Sequence, residues 1–125
     1  MPEELTALIG FHEDNPFFLK SLLGRRGYVR IDTVASLREM IETYQAQEYQ
    51  AVIMDVNLGA PGSPSAEPAQ RVYNLLRERF EGGLMKFYPI SGTQAAVDAA
   101  IELGMPAMGK REFKGRFDQE FGSPI

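Results

Sequence analysis

Five short polar groups in this chain each follow a run of apolar residues. Glu13 and Asp14 come after Leu5 to Phe11, Asp55 closes Ala51 to Asp55, Ser91 closes Met85 to Ser91, and Lys110 follows Ala107 to Gly109. Three carboxylates gathered at one place repel one another unless a divalent cation neutralises them. The set offers oxygen donors with no thiolate and no histidine cluster, which suits Mg²⁺ rather than Zn²⁺. A lysine and a hydroxyl beside such a cation complete a site for a phosphoryl group. The lysine acts as a point charge and the hydroxyl as a hydrogen-bond donor.

The composition excludes several other chemistries. The chain has 125 residues, a net charge of −4, no cysteine and one histidine. It is long enough for one domain with a core, so a single domain over 1–125 is expected. Disulfides, thiolate catalysis and cysteine-based zinc sites are excluded. Lone His12 is read as a bystander at the rim of the site. No basic block points to nucleic acid, and no apolar run reaches the roughly 18 to 20 residues of a membrane span. Met1 to Leu5 lacks a basic-then-apolar signal pattern, so a cytoplasmic location is expected.

The polar groups need elements to bring them together. Ala51 to Asp55 is short, apolar and without polar alternation, as in a parallel strand buried on both faces. Leu5 to Phe11 reads as the first strand. Asn15-Pro16 suits the cap and first turn of a first helix, which carries Phe18, Leu19, Leu22 and Leu23 on one face. Arg25 and Arg26 fall near the negative end of its dipole. Tyr28 to Thr33 is a second strand, with Val29 and Ile31 alternating against Arg30 and Asp32. Ser36 to Glu39 forms a capping-box pattern. Leu37, Met40, Ile41 and Tyr44 then keep helical spacing.

Gly59 to Gln70 reads as a loop, longer than the usual run of about two to six residues between strand and helix. It has no Gly-Lys-Ser/Thr ending and so is not a phosphate cradle. The third helix is expected from about Pro68 to Phe80, with Val72, Leu75, Leu76 and Phe80 inward. The fourth strand, Met85 to Ser91, contains Pro89, which cannot donate to a sheet ladder and predicts an irregularity. Ala95 to Leu103 is an almost wholly apolar fourth helix. Ala107 to Gly109 is a brief fifth strand. Phe113, Phe117 and Phe121 mark a short last helix ending near Gly122. Five strand–helix units in alternation predict an α/β fold, a doubly wound parallel sheet with helices on both faces. In such a sheet the carboxyl ends of the strands share one edge, where ligands bind.

Glu13-Asp14-Asn15-Pro16, Ile53 to Leu58 around Asp55, Ser91-Gly92 and Lys110 resemble, in order, the motifs of the response-regulator receiver domains of two-component signalling. The resemblance covers nearly the whole chain. It implies a flavodoxin-like sheet of five strands in the order 2-1-3-4-5. It also implies a switch rather than a metabolic enzyme. Asp55 would take a phosphoryl group from a histidine kinase or phosphotransfer protein. Glu13, Asp14, Asp55 and the backbone carbonyl of Asn57 would hold Mg²⁺, Lys110 would neutralise phosphoryl charge, and Ser91 would hydrogen-bond the phosphoryl group. Asn57 and Thr93 would flank the attacking water and give the phosphorylated state a moderate lifetime. A downstream output partner or domain is implied, with a homodimer through the fourth helix and fifth strand.

The sequence departs from the family in four places. Arg111 follows Lys110 where the family has proline, Ala107 stands where it has a switch aromatic, the loop after Asp55 is long, and the last helix is short. Ala107 and the missing Lys-Pro suit an alternative, a pseudo-receiver that binds proteins without being phosphorylated. A haloacid-dehalogenase-like phosphatase would need Asp-x-Asp after the first strand and a cap domain, and the sequence has neither.

Overall fold

The computed structural model describes residues 4–11, 17–60 and 62–122, with Phe17 described by its backbone alone. Strand and helix alternate throughout: β1 (Leu5–Gly10), α1 (Phe17–Gly24), β2 (Tyr28–Val34), α2 (Leu37–Ala46), β3 (Ala51–Asp55), α3 (Glu67–Glu81), β4 (Lys86–Ser91), α4 (Gln94–Glu102), β5 (Met108–Gly109) and α5 (Lys110–Phe121). The sheet has the order β2-β1-β3-β4-β5, and every pairing is parallel. This is the expected flavodoxin-like α/β architecture.

Successive residues of a strand point to opposite faces, and the two faces carry separate cores. Leu8, Val52, Met54 and Phe87 pack with Met40, Val72, Leu76 and Ala100 from α2, α3 and α4. Ala7, Ile9, Ile53, Tyr88 and Ile90 pack with Leu19, Leu23, Phe113 and Phe117 from α1 and α5. Every residue of β3 is therefore buried. At its head α2 is capped as expected: the Ser36 hydroxyl oxygen accepts a hydrogen bond from the Glu39 amide at 3.2 Å, an arrangement worth about 1 kcal/mol.

Several expectations need correction. Pro89 disturbs nothing, since β4 keeps register with β3 from Lys86 to Ile90. The Ile90 carbonyl accepts from Val56 on the β3 side at 2.8 Å. Backbone polar groups alternate in direction along a strand, so those of Pro89 face the other side. There β5 begins only at Met108, opposite Ile90. Val29 is exposed. The register passes from Leu5↔Tyr28 to Thr6↔Arg30, leaving Val29 as the extra residue of a bulge on an edge strand. Phe18 is 64% exposed and Leu75 is also on the surface. On α3 the buried face is instead Ala69, Val72, Tyr73 and Leu76. That helix begins at Glu67, whose amide donates to the Ser65 hydroxyl at 3.1 Å, so the loop before it ends earlier than expected. The expected cap of α1 at Asn15 and Pro16 lies outside the described residues.

Candidate functional site

Because all five strands run parallel, their carboxyl ends open on one edge. Asp55 ends the central strand β3, opposite Ile90 of β4. Ser91 ends β4 opposite Gly109 of β5. Lys110 opens α5 directly after that glycine. The short β5 thus delivers the lysine to the edge where the aspartate lies.

The two charges meet there. Lys110 Nζ is 3.3 Å from Asp55 Oδ1, the lysine side chain one-third exposed and the aspartate side chain 2% exposed. A buried carboxylate is costly without an opposite charge or hydrogen bonds. The ammonium also sits 5.3 Å from the centre of the Phe11 ring, at the end of β1. Sequence spacing marks Phe11 only as a strand's last residue; its place beside Lys110 follows from the sheet, which gathers the ends of β1, β3 and β5 on one edge.

Ser91 is buried, and its hydroxyl oxygen accepts a hydrogen bond from the Thr93 amide at 2.9 Å. That contact links the site edge to the start of α4. Asn57 is also buried. Its side-chain amide donates to the Ser63 carbonyl at 2.9 Å. Backbone bonds continue the chain of contacts: Leu58 to the Asp55 carbonyl at 3.2 Å, Ala60 to the Asn57 carbonyl at 2.9 Å, and Ser63 to the Ala60 carbonyl at 3.0 Å. Gly59 and Gly62 take positive φ angles of 88° and 78°, which lets these tight turns follow one another. The long loop is thereby folded against the residues after Asp55. Nothing in the sequence spacing signalled that tie. Ala107 is partly buried against the core on the α2–α4 face.

Glu13 and Asp14, expected as metal ligands, and His12 lie outside the described residues. Among the described residues no group of three histidine, cysteine or carboxylate side chains is gathered. The donors present at this edge, the buried Asp55 carboxylate and the backbone carbonyl of Asn57, are hard oxygens of the kind Mg²⁺ takes. No described helix is long and apolar enough to cross a membrane.

No family model and no curated protein matches this sequence. Solved structures do. A presumptive response regulator from Chloroflexus aurantiacus J-10-fl aligns over 97% of this chain and 100% of its own, with a TM-score of 0.66 and 22% identity. The beryllofluoride-activated conformation of SdrG from Pseudomonas melonis Fr1 aligns over 84% of this chain and 82% of its own, with a TM-score of 0.58 and 21% identity. At such identities the likeness is one of fold, so the chain is a five-stranded parallel α/β protein sharing the flavodoxin-like architecture of these response-regulator structures.

Proposed function

We propose that this chain is a phosphoacceptor receiver domain of two-component signalling, with Asp55 as the phosphoacceptor. The observation that carries the reading is the ion pair between buried Asp55 and Lys110 at the carboxyl edge of the sheet. A carboxylate oxygen of Asp55 attacks phosphorus of a phosphohistidine on a kinase or phosphotransfer protein. The P–N bond breaks, an acyl phosphate forms, and the imidazole leaves with a proton from solvent. Lys110 offers positive charge to the phosphoryl oxygens. Glu13, Asp14, Asp55 and the Asn57 carbonyl are the residues that would hold Mg²⁺, which supplies further charge neutralisation when bound. Such a domain is a switch of the cytoplasm, not a metabolic enzyme.

The added charge, roughly −1.5 to −2, has two routes outward. One runs through Ser91 to Thr93 and α4, and the other through Asn57 to the loop before α3. Exposed Ile101 and Leu103 at the end of α4 support a homodimer or output partner on α4 and β5. With Mg²⁺ present, beryllofluoride or acetyl phosphate should modify the wild type and not Asp55→Asn, as read by mass spectrometry for acetyl phosphate and by fluorine NMR for beryllofluoride. No adduct at Asp55 would remove the reading. Hydrogen exchange should change in α4 and the loop on beryllofluoride addition, with α2 unaffected.

Ala107 favours a second reading, a pseudo-receiver that binds a protein partner without phosphorylation. It offers no ring to follow Ser91. A Mg²⁺ titration separates the two, because a pseudo-receiver shows no saturable change.

A further inference from the structure

Between α1 and α5, on the face of the sheet away from α2, α3 and α4, lies a groove of about 610 Å³. That is within the usual range of small-molecule sites, about 300 to 1,000 Å³. Its walls are Leu19 and Leu22 from α1 and Phe113 and Phe117 from α5. Phe11 and Lys110 lie at the end nearest the carboxyl edge of the sheet, and Arg26 and Asp118 at the other.

The charges around it are unbalanced. Among the described residues that line it, three cationic side chains, Arg26, Lys110 and Lys114, face one carboxylate, Asp118, in a chain whose net charge is −4. Arg26 is occupied by Asp118 and by the carbonyls of Leu22 and Gly122. Lys110 pairs with Asp55. Lys114, one turn along α5 from Lys110, has no ion pair among the described residues.

A glycine lies in the α5 wall of the groove. Gly115 lies inside α5, where glycine is less favourable than alanine. It lines the groove, and a Cβ built on it would meet nothing within 4 Å. No close packing there demands a glycine. A side chain would instead project into free space.

We infer that the α1–α5 groove binds an amphipathic carboxylate, its apolar body between the Leu19–Leu22 and Phe113–Phe117 walls and its carboxylate at Lys114 toward Lys110. The walls bury the hydrocarbon, and the uncompensated cation selects the charged head over a neutral one. From Lys110 to Asp118 the groove follows α5 for about 12 Å, at roughly 1.5 Å per residue. A medium-length alkyl chain fits that span. The inference does not depend on Asp55 being phosphorylated.

Calorimetric titration of the full chain with decanoate, and separately with decanol, tests it. Decanoate should bind saturably at one site, at least about tenfold tighter than decanol, a margin of roughly 1.4 kcal/mol. Lys114→Glu should erase that margin. Gly115→Leu should abolish binding of both probes, and its gain in helix propensity guards against loss of the fold. Unsaturable decanoate binding, equal affinity for decanol, or Lys114→Glu or Gly115→Leu binding like the wild type would each overturn the assignment.

Discussion

Lys110 Nζ stands 3.3 Å from Asp55 Oδ1, a pair made by residues far apart in sequence and brought together by β5 beside β4. The aspartate is the buried partner, so the lysine matters more to it than the reverse. Lys110→Ala should destabilise the fold by about 1–3 kcal/mol in urea unfolding, below the figure for a fully buried pair because the lysine is partly exposed. Adding Asp55→Asn to that variant should recover most of the loss. A coupling energy in the double-mutant cycle of less than about 0.5 kcal/mol would show that the pair does not hold the carboxylate in place.

Asn57 is the tie between the site strand and the long loop. Replacing it with alanine removes its hydrogen bond to the Ser63 carbonyl and should cost about 1–2 kcal/mol. Amide exchange at Ala60 and Ser63 should quicken well beyond the change elsewhere. Under the receiver reading, Asn57→Arg should also alter the decay of the acyl phosphate, measured from the phosphorylated protein over time.

Arg26 is a structural arginine whose importance the sequence reading missed. Its side chain is 4% exposed while that of its partner Asp118 is 72% exposed. It donates to the Leu22 and Gly122 carbonyls, each at 2.8 Å, and lies 4.6 Å from the centre of the Phe117 ring. Arg26→Ala should therefore cost about 3 kcal/mol, and Asp118→Ala about 1 kcal/mol or less. Thermal unfolding that ranks the two variants the other way would contradict this asymmetry.

Alkaline stability should depend on Tyr49. Burial first, and then its hydrogen bond to Asp32 at 2.5 Å, push its hydroxyl from 10.0 up to about 12. A raised tyrosine keeps its proton in the fold at pH values where the unfolded chain has lost it. Its contribution is complete below pH 10 and is lost as pH rises through the window up to about 12. Burial raises Tyr28 and Tyr88 in the same direction. Tyr49→Phe should be less stable near neutral pH by about 1–2 kcal/mol, and its urea midpoint should fall less steeply across that window than the wild type's.

The sequence by itself determined the order of strands and helices, the parallel α/β class and the placement of Asp55, Ser91 and Lys110 at strand ends. Those features rest on local periodicity: apolar runs such as Ala51 to Met54, the helical spacing of Met40 and Tyr44, and Phe113, Phe117 and Phe121. Neighbours in the chain write these patterns, so the chain alone displays them. Tertiary structure decided which apolar residues are inside. Phe18, Val29 and Leu75 have the same chemistry as the core, but no element covers them, because burial belongs to a position in space rather than to a residue type. The fold also decided that Lys110 reaches Asp55, that Arg26 locks α5 to α1, and that Asn57 holds Ser63. Each of these contacts needs a backbone path set by packing, and no spacing in the sequence encodes the distance it closes.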